Sequence, residues 1–352
     1  MNTNNSIEQN NTKTKSILKN SITFVIITVS VYFAFAGINY YLLWHYIITA
    51  NFFYILLPIP VMIISHWIRA IRWKTLLKPI HQGASIRNLF ASVMIGYAIN
   101  NLLPRGGEIV RPYVFSKQEN ISFSSTFATI ILERILDVLT LLILLGFTFL
   151  LHKDKIVVLL PTNIDVSKIT YLIILLLVII VFAFYPPITE WLINKIFRPF
   201  SNKFANKLSE IFTKFRKGFA IIKSPNLYTK IGLESLIIWF FYALPLYIMF
   251  YAFDFSSQGM NFWDAILLLV ASGISFTVAP TPGSIGVFHW IVKVILMKFY
   301  GVNGEQALAY ATVNHGINYL LQIMLGSYFI IKDRIWNLVW NINLTKKDSE
   351  SF

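Results

Sequence analysis

Residues 100–108 read NNLLPRGGE and residues 276–284 read FTVAPTPGS, and these two stretches decide the fold. Each one follows an apolar helical run, breaks it with proline and glycine, and leads into another apolar run. Backbone that leaves a helix at membrane depth is tolerated only where protein or a water-filled cavity satisfies its N–H and C=O groups. A pair of such breaks at corresponding places of two halves therefore points to a transport site.

The composition indicates the class of protein around these breaks. Of the 352 residues, 56% are hydrophobic and 13% are charged, and the mean hydropathy is +0.63. A soluble domain carries roughly 25% charged residues. The apolar residues fall in blocks long enough to cross the hydrocarbon core, which takes about 20 helical residues. The chain is predicted to be an all-α integral membrane protein.

The net charge is +14, but the basic residues form no domain apart from the apolar runs, so no nucleic-acid partner is expected. Lysines and arginines of membrane proteins gather in cytoplasmic loops and near anionic head groups. The absence of cysteine excludes disulfides, thiolate metal sites and a cysteine nucleophile. The six histidines lack metal-ligand spacing. We expect neither a metal nor another cofactor.

The chain divides into a membrane domain, residues 17–335, between an N-terminal tail, 1–16, and a C-terminal tail, 336–352. Its long polar connection, residues 187–230, is basic and repeats apolar residues at three- and four-residue steps. This spacing predicts an amphipathic helix in the cytoplasmic lipid interface. A solvated helix packed on the protein is the alternative.

Loop charge orients the apolar runs. By the positive-inside rule, the segment 187–230, both termini and the loop that carries Arg72 are cytoplasmic. Residues 86–121 and residues 263–300 must then each enter and leave on the same side. The two broken segments are therefore predicted to be re-entrant helical hairpins, one from each face of the cytoplasmic membrane. Two ordinary spans with unusual loops are the alternative.

The same argument predicts an inverted repeat. The halves 51–151 and 231–332 each read as span, hairpin, span, with opposite orientations. The predicted architecture has about six full transmembrane helices plus the two re-entrant hairpins, and it is compatible with a homo-oligomer.

Charges inside a membrane are costly, so each is a functional candidate by default. The first hairpin concentrates polar residues and glycines: Asn101, Arg105, Gly106, Gly107, Glu108 and Arg111. A helix that restarts near Arg105 with bare N–H groups beside two arginines suits a phosphate oxyanion. The alternative is an internal Arg–Glu clamp that holds the hairpin closed.

The span that follows carries Glu133, Arg134 and Asp137. Glu133 and Asp137 share a helix face, and Arg134 reaches Asp137 at i,i+3. We expect them to face the bundle interior and to meet the arginines of the first hairpin. They either bind substrate or only neutralise those arginines.

The second hairpin is broken by Pro280, Pro282, Gly283 and Gly286, and His289 follows on the restarted helix. A histidine at this place could titrate near neutral pH. A structural hydrogen bond is the alternative role.

Three motifs together resemble the lysylphosphatidylglycerol synthase transmembrane-region (flippase-like) family. They are LPRGGEIVRP at 103–112, LERILD at 132–137 and PTPGSIGVF at 280–288, and the resemblance covers most of residues 20–335. The family is associated with moving a phospholipid across the cytoplasmic membrane, and in bifunctional members a fused soluble domain makes that lipid. This sequence shows no such domain, so the resemblance does not imply the synthase activity. Ser284 and His289 depart from the family pattern.

The resulting prediction is a membrane protein that is not an enzyme and that translocates a phospholipid or a lipid-linked anion. Arg105 and Arg111 would engage the phosphate, while Glu108, Glu133 and Asp137 would balance charge or meet a cationic head group. Pro282 and the hairpin glycines would shape the site. The alternatives are a non-transporting partner of a separate lipid-modifying synthase and a membrane-embedded lipid transferase.

Overall fold

The computed structural model describes residues 24–157, 225–278 and 281–340, with short pieces between 167 and 210. These residues form helices joined by turns, and no strand occurs among them. The predicted N-terminal tail, Pro280, most of the span at 168–186, most of the amphipathic connection and the end of the C-terminal tail lie outside the described residues.

Thirteen α-helices are named here in chain order. They are α1 Phe24–Phe35, α2 Tyr40–Thr49, α3 Phe52–Leu56, α4 Pro58–Leu77, α5 Ile86–Leu102, α6 Gly107–Gln118, α7 Phe123–Leu151, α8 Lys153–Val157, α9 Pro225–Ala252, α10 Phe262–Val278, α11 Val287–Tyr300, α12 Gly304–Lys332 and α13 Trp336–Trp340.

Four helical stretches among the described residues are long and apolar enough to cross a membrane: Phe52–Leu77, Phe123–Leu151, Leu227–Ala252 and Pro282–Tyr300. The pair α1 and α2 passes the same test together but is bent by 82°. These helices establish the all-α membrane class. The helix α12 has 29 residues, but polar side chains interrupt its apolar sequence. The predicted count of six spans stays a prediction.

The described chain forms two compact units. The first contains α1–α3, the turn between α5 and α6, and the segment from Leu244 to Asp333. Its core is aromatic: Tyr310 is fully buried, packs against Phe250 and Phe255, and donates a hydrogen bond to the carbonyl of Leu246 at 2.9 Å. The second unit contains most of α4, α5 as far as Val93, α6 from Arg111 onward, α7, and α9 as far as Ala243.

The first predicted hairpin folds back on itself. Gly107, the first residue of α6, lies so close to α5 that an added Cβ would stand 1.9 Å from the carbonyl oxygen of Gly96. The side chain of Asn100 accepts a hydrogen bond from the N–H of Gly107 at 2.8 Å and so caps the restarted helix. At the other end, Glu119 Oε1 accepts a hydrogen bond from Asn88 Nδ2 at 2.7 Å. The arms thus lie side by side at both ends.

The second predicted hairpin is closed in the same way. Its arms α10 and α11 pack against each other, and the Tyr300 hydroxyl donates to Asp264 Oδ1 at 2.5 Å where they end. The break contains three residues with positive φ, namely Gly283 at 55°, Ser284 at 57° and Gly286 at 85°.

The arms of both hairpins are short. α5 and α10 have 17 residues, α6 has 12 and α11 has 14. A helix needs about 20 residues to cross the hydrocarbon core. α5, α6 and α10 are therefore too short to cross it alone, whereas α11 together with the turn before it, Pro282–Tyr300, is long enough. The re-entrant topology stays a prediction.

Gly107→Ala tests the close approach of the first hairpin. The added methyl group would overlap the α5 backbone, and overpacking of this kind costs about 3 kcal/mol. We expect a clear fall in the Tm of the detergent-purified protein. Gly232→Ala is the matched control because nothing lies within 4 Å of its added Cβ, and alanine favours a helix interior over glycine by about 1 kcal/mol. Equal Tm values for the two variants would contradict the observed packing.

Single cysteines in this cysteine-free chain test the re-entrant topology. Arg87→Cys and Lys117→Cys place exposed thiols at the two ends of the first hairpin, and Gln258→Cys and Lys298→Cys do so for the second. An impermeant maleimide should label each pair from one face of the membrane and the two pairs from opposite faces. Labelling of Arg87→Cys and Lys117→Cys from opposite faces would make α5 and α6 ordinary spans.

Candidate functional site

A cluster of buried charges lies in the second unit and begins with two arginines of α4. Arg69 and Arg72 stand three residues apart, so both face the same neighbouring helix. Arg69 Nη2 lies 2.6 Å from Asp137 Oδ2 and also pairs with Glu133, while Arg72 Nη2 lies 2.5 Å from Asp137 Oδ1. The carboxylates belong to α7 and share one face at i,i+4. Two arginines of α4 and two carboxylates of α7 thus join these helices through three close ion pairs.

Arg111 of α6 completes the cluster. Its two terminal nitrogens donate to the two carboxylate oxygens of Glu133, each at 3.0 Å, in the bidentate geometry that makes such pairs strong. Its guanidinium also lies 4.0 Å from the ring centre of Trp73. The indole N–H of Trp73 donates to the Thr129 hydroxyl at 2.9 Å, which holds the ring in place.

Residues of α9 accept hydrogen bonds from the other terminal nitrogens of the α4 arginines. Arg69 Nη1 donates to the Tyr242 hydroxyl at 2.7 Å, and Arg72 Nη1 donates to the Ser235 hydroxyl at 3.0 Å. The Ser235 hydroxyl in turn donates to the carbonyl of Ile231 at 2.8 Å. The cluster therefore draws on four helices.

Most of these charged side chains are buried, so their pairing affects the stability of the protein. The side chains of Arg72 and Glu133 are fully buried, whereas Asp137 is 15% exposed and Arg134, which stands 3.7 Å from Asp137, is 38% exposed. Taking a charge out of water costs several kcal/mol, and only good geometry with extra hydrogen bonds repays it. Three buried guanidiniums face two carboxylates here, so the cluster as built carries one positive charge in excess.

The structure confirms part of the sequence prediction and corrects another part. Glu133 meets an arginine of the first hairpin, as predicted, and that arginine is Arg111. Asp137 instead meets Arg69 and Arg72 of α4. The carboxylate that clamps Arg111 belongs to α7 and lies outside the hairpin. The prediction that Arg72 lies in a cytoplasmic loop is wrong: it lies within α4 and is fully buried. Sequence reasoning missed Arg69 and the pairing role of Arg72, although their three-residue spacing beside an apolar run was a usable signal.

The predicted bare N–H groups at the first break are not bare. Backbone carbonyls accept from the N–H groups of Gly106 and Glu108, and the Asn100 side chain accepts from Gly107. This part of the phosphate hypothesis is wrong, because the chain caps its own helix. Arg105 remains exposed at the turn, in a left-handed conformation with φ of 60°, and Glu108 is half-buried.

The two breaks meet within the first unit, where α12 holds both of them. Asn101 Nδ2 donates to Gln322 Oε1 at 3.0 Å, and the Tyr319 hydroxyl donates to the carbonyl of Asn101 at 3.2 Å. His315 Nε2 lies 2.6 Å from the carbonyl oxygen of Gly283. An added Cβ on Gly283 would stand 3.1 Å from Asn101 Oδ1, so the breaks are in direct contact.

The remaining predicted residues of the second hairpin are packed inside the first unit. His289 is buried beside His315, with ring centres 4.8 Å apart. Gly286 faces α1, where an added Cβ would stand 3.0 Å from Ser30. Lys293 is buried too, and its Nζ donates to the carbonyl of Ala34 at 2.6 Å, which caps the end of α1.

The structure leaves the binding roles of the predicted residues as predictions. It brings Arg111, Glu133, Arg134 and Asp137 together in the second unit. It brings Asn101 and Gly283 together in the first, where Pro282 opens a short 3₁₀ turn. Among the described residues, no group of three or more histidine or acidic side chains could hold a metal ion.

Arg111→Gln tests the buried pair of Arg111 and Glu133. The comparison is Arg134, a more exposed arginine that stands 3.7 Å from Asp137. Removing one partner of a buried ion pair costs about 3–5 kcal/mol, and we expect a large fall in Tm. Arg134→Gln, at a 38% exposed side chain, should cost no more than about 1 kcal/mol. Thermal unfolding of both detergent-purified variants measures the difference, and similar Tm values would show that Glu133 does not depend on Arg111.

The comparisons with known proteins agree with these motifs. A UPF0104 membrane protein of Pyrococcus horikoshii is 30% identical over 307 residues, which cover 81% of this chain and 88% of that protein. A UPF0104 membrane protein of Methanothermobacter thermautotrophicus is 23% identical over 293 residues, or 78% of this chain and 83% of its own length. Glycosyltransferase AglD of Haloferax volcanii is 22% identical over 290 residues, which cover 76% of this chain but 46% of that protein.

No solved structure matches this chain. Residues 20–326 match the family described as the lysylphosphatidylglycerol synthase TM region, and this match covers well over half of the 352 residues. The protein is therefore a member of the lysylphosphatidylglycerol synthase transmembrane-region family.

Proposed function

We propose that this membrane protein translocates an anionic lipid, a phospholipid or a lipid-linked phosphate, across the cytoplasmic membrane, without acting as an enzyme. The observation that carries the proposal is the buried cluster of Arg69, Arg72 and Arg111 with Glu133 and Asp137. Charges within membrane-spanning helices are rare and mark substrate or ion pathways. An excess of one positive charge suits an anionic substrate.

The two helical hairpins support the same proposal. Three of their arms, α5, α6 and α10, have fewer residues than a helix needs to cross the hydrocarbon core, so breaks that turn inside the membrane would lie within it. Transporters place substrate sites at such discontinuous helices. The contact between Asn101 and Gly283 would keep the two breaks together at one level.

Arg105 is the residue that we assign to the lipid phosphate. It lies at the first break and is exposed, whereas Arg111 is held on both carboxylate oxygens of Glu133. Arg111 therefore serves to position α6. Alternating access would come from rocking of one predicted repeat, 51–151, against the other, 231–332.

Two other functions remain as alternatives to test. A non-transporting partner of a lipid-modifying synthase would co-purify with that enzyme and move no lipid alone. The partial similarity to a protein named glycosyltransferase supports testing the second alternative, a lipid transferase. Group transfer to polyprenyl phosphate by the purified protein would support it.

Arg105→Asn tests the assigned phosphate contact. Asparagine tolerates positive φ, so the variant removes the charge and leaves the turn intact. A charge-assisted hydrogen bond is worth about 1.5–3 kcal/mol, so we expect a loss of roughly tenfold or more in the rate at which proteoliposomes move NBD-labelled phosphatidylglycerol between leaflets. Dithionite quenching measures that rate.

Arg334→Asn is the matched control, because Arg334 is also an exposed arginine at positive φ, with φ of 53°, but lies after α12. It should transport at the wild-type rate. An unchanged rate for a folded Arg105→Asn protein would remove the assignment. Absence of lipid movement by the wild-type protein would remove the proposed function.

A further inference from the structure

Glu234 of α9 is a buried carboxyl group that the cluster contacts do not use. The residue is 7% exposed, and its Oε2 atom is buried with no hydrogen-bond partner. Its Oε1 atom lies 2.9 Å from the Thr75 hydroxyl and 3.8 Å from the ammonium group of Lys230, whose side chain is 60% exposed. Glu133 and Asp137, in contrast, each contact two arginines at 3.0 Å or less.

The hydrogen bonds around Glu234 suit the protonated acid. The Thr75 hydroxyl also lies 3.2 Å from the carbonyl oxygen of Ile71, and a hydroxyl has a single hydrogen to donate. With a proton on Oε1, Glu234 can donate to Thr75 and Thr75 can donate to Ile71. In the ionised group, Oε1 can accept from Thr75 only if Thr75 gives up its bond to Ile71, and the buried Oε2 carries charge with no donor, which is costly.

The charged groups that face Glu234 link its proton to the cluster. Lys230 lies on the same helix, and Arg72 lies on α4. Arg72 donates to Ser235, the neighbour of Glu234, with one nitrogen and contacts Asp137 of α7 with the other. A charge on Glu234 therefore lies beside Arg72, one of the two arginines that join α4 to α7.

The net charge of the buried cluster depends on the proton of Glu234. With the more exposed Arg134 and Lys230 left out, Arg69, Arg72 and Arg111 face Glu133 and Asp137 among the described residues of this unit. The group has one positive charge in excess when Glu234 is neutral. Loss of the Glu234 proton cancels that excess. The cluster thus favours an anion nearby only while Glu234 carries its proton.

We propose that Glu234 is a proton-binding site that couples the movement of one proton to the movement of one anionic lipid, in the same direction. This inference rests on the proposed function and deepens it. The proton binds Glu234 on the side where the lipid enters and leaves it on the other side. The transported pair is one proton and one phosphodiester monoanion, so the step is electroneutral.

Two consequences distinguish this coupling from passive lipid movement. A pH gradient should drive the lipid from the acidic to the alkaline side. If one proton moves with each lipid, the ratio of lipid between the two leaflets at equilibrium should be about tenfold per pH unit. A membrane potential alone should have no effect, because no net charge crosses.

The test uses phosphatidylcholine vesicles that contain the full-length protein and a trace of NBD-labelled phosphatidylglycerol. With the outside made acidic, wild-type protein should accumulate the probe in the inner leaflet, where dithionite cannot reach it. A potassium diffusion potential set with valinomycin should leave the distribution unchanged. Protein-free vesicles provide the background.

Glu234→Gln removes the proton site but keeps the shape and the neutral charge. We expect this variant to equilibrate the probe between leaflets at a rate that does not depend on pH, and to lose accumulation in response to the gradient. Asp154→Asn is the matched control, because Asp154 is an exposed carboxylate after α7, and it should respond as the wild type does.

Three outcomes would overturn the inference while lipid movement itself persists: equilibration with no response to the pH gradient, a response to a sodium gradient in its place, or a normal gradient response by Glu234→Gln. If Glu234→Gln does not fold, the response of the wild-type protein to the pH gradient tests the inference: accumulation of the probe supports it, and equilibration without accumulation overturns it. Absence of any probe movement by wild type counts against the proposed function, as described above.

Discussion

The second unit depends on the pairing of three buried guanidiniums with two buried carboxylates. Each carboxylate stays charged inside an apolar helix bundle only because arginines from other helices contact it directly. The positions of three helices must match closely, because Glu133 contacts both terminal nitrogens of Arg111 and one of Arg69. A small slide of α4, α6 or α7 would leave a buried charge without its partner. The cluster therefore sets the register of these helices far more strictly than their aliphatic contacts do.

The first unit is held by a different constraint, close approach of backbone and small polar contacts. Gly107 lets α6 start against Gly96, and Gly326 lets α12 approach α5, where an added Cβ would stand 2.4 Å from that of Ala98. Gln322 and Tyr319 of α12 then hold the first helix break, and His315 of α12 holds the second. Polar side chains at these positions satisfy groups that a broken helix exposes, and membrane lipid cannot do so.

These two constraints suggest separate roles for the arginines. Arg69, Arg72 and Arg111 are engaged by carboxylates and join α4 and α6 to α7. Arg105 lies at an exposed turn, in a backbone conformation that few non-glycine residues adopt. Such strained residues concentrate at functional sites. A transport cycle in which Arg105 meets the phosphate and the proton of Glu234 sets the charge of the cluster uses each group for one task.

The membrane class, the family, the two helix breaks and the meeting of Glu133 with an arginine of the first hairpin could all be predicted from the sequence. Each of these follows from local pattern: hydropathy, short motifs, Pro and Gly placement, and i,i+4 spacing. Four other features became visible in the folded chain alone: Arg72 is buried, Asn100 caps the restarted helix, α12 holds both breaks, and Glu234 has an unpaired oxygen. Those facts depend on contacts between residues up to 221 positions apart, such as Asn101 and Gln322, and local pattern carries no information on which distant side chain satisfies a buried polar group.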